Sequence, residues 1–368
     1  MAPSSTDARE TQSDWAAPRP TKVGINGFGR IGRSVLRASL LREDLAVVAI
    51  NHTCASIDDV IHEICYDSTH GPVARLTGIG RLDVFPINDH TLSLGGQHVH
   101  LFSTRDITQI PWAEVGVEFV VESTGKFTSS LLAKVHIESG GARKVLISAP
   151  SKDSPTLVYG VNSQDYLINR PDVISCASCT TNCLAPIAKV LDGNFGIAQA
   201  LMTTVHASTR SQHVLDGYSK RDRRAGRSVL GNVIPTSTGA AKAVSKVLPQ
   251  LDGKLTGLSL RVPICNVSLV DLTVNLEKST SLAEIFEKFE EASLGALKGV
   301  VQVEVDELVS CDFQGNSHSA VIDAKACVEL NSKFFKILAW YDNEWAYSVR
   351  LLDMLAYMAK VEYIRPEI

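Results

Sequence analysis

The run SCASCTTNCLAP, residues 175–186, holds three of the chain's eight cysteines: Cys176, Cys179 and Cys183. Thiols this dense serve a metal, a disulfide or a nucleophile. A structural zinc site would need a second ligand pair after the C-x-x-C of Cys176 and Cys179. Cys183 stands alone, and His206 and His213 fall on different segments, so no metal is expected. Eight cysteines in 368 residues are also too sparse for a disulfide scaffold. A nucleophile fits better. CTTNCLAPIAKVL reads as a helix with Cys179 at its N-terminal edge, where unpaired N–H groups and the dipole lower a thiol's pKa. Pro186 inside that helix allows for a kink or a late start. LMTTVHAS places His206 late in a strand-like run, where it can serve as the base a thiol wants. One cysteine and one distant histidine are also a common packing coincidence, and these residues alone leave both readings open.

Such residues need elements to position them. Short β-branched runs alternate with helical stretches, the pattern of a parallel sheet with crossover helices. TKVGIN (21–26) reads as a strand, followed by a glycine-rich turn and a helix through Leu41. LAVVAIN (45–51), VEFVVES (117–123) and KVLISA (144–149) read as further strands, with a helical stretch between the last two. Beyond Cys179, residues 258–278 and 334–342 read as long strands with alternating faces, and LAEIFEKFEEASLG between them as a helix. Residues 344–359 read as an amphipathic final helix. The expected class is α/β: a Rossmann-like doubly wound parallel sheet over 21–178, then an α+β unit over 179–342 with a mixed, mostly antiparallel sheet.

VGINGFGRIGR sets Gly27-x-Gly29-x-x-Gly32 between the first strand and the first helix. The first glycine makes a tight turn, the second lets backbone approach a pyrophosphate, and the third permits close helix–sheet packing. A dinucleotide is the expected ligand. At the end of the second strand, where an acid normally holds the adenosine ribose, AINHTCAS places His52. The missing carboxylate leaves NAD and NADP both open, because absent repulsion is only half of specificity.

Composition excludes other classes. Hydrophobic residues make up 45% and charged residues 21%, with a net charge of −4, which gives no general pull toward nucleic acid or acidic membranes. No apolar run approaches the ~20 residues that span a bilayer. Residues 1–20 are polar, with acids at Asp7, Glu10 and Asp14, and read as a disordered tail rather than a signal or transit peptide. The expected compartment is the cytoplasm.

NGFGRIGR, ASCTTNCLAP, TTVHA, PTSTGAAKAV, GLSLRVP, NVSLVDLTV and WYDNEWAYS occur in this order along the chain. Together they closely resemble the phosphorylating glyceraldehyde-3-phosphate dehydrogenase family, from about Lys22 to Glu362. The resemblance implies that Cys179 attacks glyceraldehyde 3-phosphate and that His206 pairs with it and shuttles the proton. It implies that inorganic phosphate releases the acyl group, with Thr209 and Arg261 holding the substrate phosphate. Ser178, Thr180, Thr238 and Gly239 would hold the incoming phosphate, with Arg227 contributing. Cofactor contacts would come from Arg30, Ile31, Arg105, Thr124, Ser148 and Asn343. Asn343 would orient the nicotinamide, so residues 343–368 would return to complete the first domain. A homotetramer is implied as well. Erythrose-4-phosphate dehydrogenase is the rival within the same group, and a non-catalytic copy kept for binding RNA or protein is the rival outside it.

Five positions depart from the family's pattern. His52 replaces an acid and Tyr218 a frequent proline, which together tilt the expectation slightly toward NADP acceptance. Cys176 replaces an asparagine, read either as a tolerated swap or as a resolving thiol for Cys179. Ser208 replaces a tyrosine and Ala346 a glycine, both beside working residues.

Overall fold

The computed structural model describes residues 19–220 and 222–363. All but the last two residues of the expected tail therefore lie outside the described residues. The first half of the chain runs β1 (Thr21–Asn26), α1 (Arg30–Ser39), β2 (Leu45–Asn51), α2 (Ile57–Cys65) and α3 (Val73–Thr77). It continues through β3 (Val84–Asn88), β4 (Thr91–Leu94), β5 (Gln97–Phe102), β6 (Phe119–Glu122), α4 (Ser130–Ala133), α5 (Val135–Glu138), β7 (Lys144–Ile147), α6 (Tyr166–Asn169) and β8 (Val173–Ser175).

These strands form one sheet in the order β3-β4-β5-β2-β1-β6-β7-β8. From β5 to β8 neighbours are parallel, whereas β3, β4 and β5 form an antiparallel meander. The expected parallel sheet thus carries an antiparallel edge that the sequence reading passed over. Gly95 and Gly96, both at positive φ (57° and 86°), make the tight turn between β4 and β5. β1 and β2 are almost wholly buried because helices cover both faces, which explains their near-continuous apolar runs.

The second half runs α7 (Cys179–Phe195), β9 (Ile197–Ala207), β10 (Ile234–Ser237), α8 (Ala240–Val247), β11 (Leu255–Val262), β12 (Ser268–Leu276) and α9 (Leu282–Leu294). It ends with β13 (Val301–Glu304), β14 (Ala320–Asp323), β15 (Val328–Asn331), β16 (Phe334–Tyr341) and α10 (Trp345–Tyr363). The strand order is β10-β11-β9-β12-β16-β14-β13, with β15 also on β16. Only β11–β9 and β13–β14 are parallel pairs, so the sheet is mixed and mostly antiparallel as expected. In β12 burial alternates residue by residue: Ser268, Val270, Leu272, Val274 and Leu276 face the core.

One expectation is corrected. Residues 258–278 are two strands, β11 and β12, not one. Pro263 has no N–H for a ladder, and Val267 takes φ +66°, so the chain turns between them. The helix around Pro186 runs without ending from Cys179 to Phe195. Its inner face packs with α8 and α9 onto the second sheet. The last helix, α10, leaves that sheet: Leu351, Leu355 and Met358 share a core with Val35 and Leu36 of α1.

Candidate active site

Cys179 is the first residue of α7, directly after β8 and a three-residue bend. The bend is held from several sides. Ala177 has φ +57°, a strained value for a residue with a Cβ. Tyr347 Oη donates to its carbonyl (2.9 Å), and Asn182 Nδ2 donates to the carbonyls of Cys176 (2.8 Å) and Ser178 (2.9 Å). Ser178 caps the helix by accepting from Thr181 N–H (3.1 Å). The thiol is thereby fixed at a positive helix end.

His206 closes β9, and its Nε2 lies 3.5 Å from Cys179 Sγ. Its Nδ1 lies 2.7 Å from Ala207 O and 2.6 Å from Arg261 Nη1, while Arg261 Nη1 also donates to Ala207 O (3.1 Å). Burial pushes the Cys179 thiol up, against the pull of Arg261's charge. Burial, with Arg261 second, pushes His206 down to about 3. Neither side chain favours a charge alone; moving the proton from Sγ to Nε2 creates both charges together, each stabilising the other.

The neighbouring thiols are different. Cys183 is fully buried, and burial and then Cys179's charge push it up; Cys176, 2% exposed, is pushed up by burial. Buried thiols without a cationic partner behave as packing residues. Cys176 belongs to the core of the first sheet and Cys183 to that of the second.

The expected anion-binding residues divide. Arg261 reaches His206 directly. Thr180 is buried with its hydroxyl 2.8 Å from Tyr341 Oη, which in turn lies 3.0 Å from Thr204 Oγ1, so that hydroxyl faces the core. Ser178 Oγ is engaged as the helix cap. Thr238 Oγ1 accepts from Ala240 N–H (3.2 Å), and Gly239 opens α8 with empty space where a Cβ would stand. Thr209 bonds Ser211 and Gln212, and Arg227 pairs with Asp216 at 2.8 Å, both on an exposed loop.

The glycine loop meets its steric requirements. Gly27 has φ +97°, and a Cβ there would strike Thr124 at 2.8 Å; a Cβ on Gly32 would sit 2.1 Å from Gly27 O. In front of Gly29 nothing lies within 4 Å, which leaves a cradle at the start of α1 that suits a pyrophosphate. Ile31 follows Arg30 in the first turn. The Arg30 side chain pairs with Glu344 and Asp67. Burial works against the Arg30 charge, and these two carboxylates outweigh it. Ser148 N–H donates to Glu122 O (2.9 Å) just past β7, and Arg105 is exposed beyond β5. Asn343 Oδ1 accepts from Ser268 Oγ (2.8 Å), which itself accepts from Ala207 N–H (3.0 Å), tying Asn343 to the histidine's strand. His52 is buried, with Nδ1 accepting from Cys54 N–H (3.1 Å) and burial lowering its pKa; it is an uncharged imidazole with its proton on Nε2.

Sequence reasoning missed Asp342, whose Oδ1 accepts from Glu344 N–H (2.9 Å) and Trp345 N–H (2.8 Å) and so caps α10 beside Asn343. An acid directly before a helical pattern was the available signal. It also missed Tyr341, which orders Thr180 and Thr204 and sits edge-on to His206.

A thiol–imidazole pair beside a glycine-loop crevice defines a dinucleotide-dependent oxidoreductase that works through a cysteine nucleophile. Residues 21–130 match the family profile "Glyceraldehyde 3-phosphate dehydrogenase, NAD binding domain", and 178–343 match its C-terminal domain. The chain belongs to the glyceraldehyde-3-phosphate dehydrogenase family, and its cofactor is of the NAD type. It is 52% identical to glyceraldehyde-3-phosphate dehydrogenase 2 of Mucor circinelloides f. lusitanicus, over 93% of this chain and 98% of the relative. It is 50% identical to the enzyme of Sclerotinia sclerotiorum over the same shares, 93% and 98%. A chloroplastic relative from Arabidopsis thaliana is 51% identical over 93% of this chain and 79% of its own length. These names favour neither the four-carbon dehydrogenase nor the non-catalytic copy.

Proposed function

We propose that the chain catalyses the phosphorylating oxidation of D-glyceraldehyde 3-phosphate to 1,3-bisphosphoglycerate. The observation that carries this is the 3.5 Å approach of His206 Nε2 to a thiol at a helix N-terminus. His206 takes the Sγ proton, Cys179 Sγ bonds to the aldehyde carbon, and the carbonyl oxygen takes that proton back from His206 to give a thiohemiacetal. His206, positioned by Ala207 O, then takes the hydroxyl proton. When bound, an oxidised nicotinamide accepts the hydride from that carbon. The resulting thioester keeps much of the oxidation energy, and inorganic phosphate attacks its carbonyl, breaking the C–S bond and returning the thiolate.

Arg261 is the principal holder of the substrate phosphate, with Thr209, while Ser178, Thr180, Thr238, Gly239 and Arg227 serve the incoming phosphate. For Thr180 and Arg227 this requires their present hydrogen bonds to exchange. Asn343, Thr124, Ser148, Arg105 and the Gly27–Gly32 loop hold the dinucleotide. NADP is accepted beside NAD, because His52 presents an uncharged N–H where an acid would repel a 2′-phosphate. The units divide at 178/179, with the C-terminal helix completing the first. A cytoplasmic homotetramer is the assembly we favour. Supporting it, the second sheet's face away from the helices carries Leu201 (64% exposed) and Leu258 (45%).

Steady-state kinetics with glyceraldehyde 3-phosphate, with and without inorganic phosphate and with NAD and NADP side by side, test the reading. Phosphate-dependent turnover with both cofactors is expected. Phosphate-independent oxidation would overturn the reaction, and a large NAD preference would overturn the dual use.

A further inference from the structure

The carboxyl ends of β2, β1 and β6 place three polar side chains side by side: Asn51, Asn26 and Glu122, paired in that order by strand register. All three are buried, Glu122 to 1% exposure. Every hydrogen bond among them has an assignable direction. The Trp112 indole can only donate, and its Nε1–H points at His136 Nδ1 (3.1 Å). The ring proton therefore sits on Nε2, which donates to Glu122 Oε2 (3.1 Å). Asn51 Nδ2 donates to Asn26 Oδ1 (2.7 Å), which leaves the Asn26 amide nitrogen to donate to the same Oε2 (2.5 Å). Thr124 donates to Oε1 with its main-chain N–H (2.8 Å) and with its hydroxyl. Four donors converge on two oxygens, so the group they enclose is a carboxylate, a fixed buried negative charge that the chemistry at Cys179 does not use.

Its place in the sheet matters. The strand order departs in opposite directions from β1, to β2 on one side and β6 on the other. An open α/β sheet binds its ligand in the crevice at such a point. The β2 side is where the adenosine ribose is read; the β6 side leads through β7 and β8 to Cys179. Glu122 thus lies under the half of the crevice that faces the thiol. Its clamp also fixes the glycine loop, since Ser123 Oγ donates to Gly27 O (2.7 Å) and Gly27 packs on Thr124.

We propose that Glu122 is a positioning residue that biases this crevice toward the oxidised dinucleotide, whose nicotinamide ring is positively charged, over the reduced one. The inference rests on the dinucleotide reading above. Hydride transfer removes one positive charge from the nicotinamide ring, so a carboxylate fixed in a low-dielectric floor favours the ring only before the transfer. A neutral residue with the same hydrogen bonds would hold the loops without discriminating.

The test is equilibrium binding to cofactor-free, full-length protein, with NAD followed by calorimetry and NADH by its own fluorescence. In Glu122→Gln, NAD affinity should fall about fivefold more than NADH affinity. Equal losses, or none, would overturn the charge role and leave a structural one. Should the wild type bind neither dinucleotide, the cofactor reading itself fails, and that outcome is separate. Should Glu122→Gln fail to fold, the double variant with Trp112→Phe repeats the comparison. Without the indole donor, His136 can move its proton to Nδ1 and accept from the new amide.

Discussion

Arg261 Nη1 lies 2.6 Å from His206 Nδ1, on parallel strands β11 and β9 whose register pairs the two residues. A guanidinium only donates, so a ring nitrogen facing it must accept, and the proton of a neutral His206 then points at Sγ. The alternative, Nδ1–H donating to Ala207 O at 2.7 Å, leaves Nε2 free to take the thiol proton. The two arrangements exclude each other. If Arg261 holds the substrate phosphate as proposed, a phosphate that drew it away would select the second, and substrate engagement and base competence would be linked. Replacing Arg261 by Gln removes the cation that pulls Cys179 down. The pH profile of Cys179 alkylation by iodoacetamide should then shift upward, and kcat/KM should fall by about 10²-fold or more from the lost charged contact. An unchanged alkylation profile would mean that Arg261 serves the phosphate alone.

His206 also links stability to acid. Folding lowers its pKa from 6.5 to about 3, so between those values the unfolded chain binds a proton that the native site refuses. Stability therefore falls as pH drops below 6.5, by up to about 1.4 kcal/mol per pH unit from this residue, and the loss is complete near 3. Above 6.5 it contributes no slope. Thermal melts from pH 7.5 to 4.5 should show a shallower decline in His206→Asn than in the wild type. Parallel declines would place the acid sensitivity elsewhere.

The glycine loop separates folding from binding. Gly32→Ala puts a methyl 2.1 Å from Gly27 O, backbone that cannot yield cheaply, so the melting temperature should drop by several degrees. Gly29 has φ −86° and nothing within 4 Å of its missing Cβ, so Gly29→Ala should melt like the wild type. Its methyl would instead occupy the phosphate cradle, and dinucleotide affinity should fall about tenfold or more. Normal binding by Gly29→Ala would mean the pyrophosphate does not lie there.

These contrasts mark what the sequence could carry. Spacing showed the strand, turn and helix around Gly27, because each glycine answers a local steric demand. Cys179 at a helix edge was equally legible, since Ser178 caps that helix through a bond to a residue only three positions on. The antiparallel edge of β3, β4 and β5 was missed because its strands run only four to six residues, too short for a periodic signal, although tight turns join them. Asn26, Glu122 and His136 were illegible for a related reason. Each is an ordinary polar residue until the register of β1 and β6 and the packing of α5 set them together. Thr180 shows the converse: a residue matched by motif whose hydroxyl the fold turns toward Tyr341.

His52 gives the last and most specific expectation. Its main-chain N–H continues the sheet by donating to Phe102 O (2.9 Å), and its ring is anchored through Cys54 N–H, so the side chain is fixed at the end of β2. Burial lowers its pKa, and near neutrality it therefore offers one uncharged donor, neither repelling nor strongly attracting a 2′-phosphate. His52→Asp restores a carboxylate at this point and sets it against that phosphate. NADP affinity should fall about tenfold or more, while NAD affinity holds or improves through the ribose hydroxyls. Calorimetric titration of both cofactors into wild type and variant decides the matter, because a ratio that does not move would take the choice of dinucleotide away from β2 altogether.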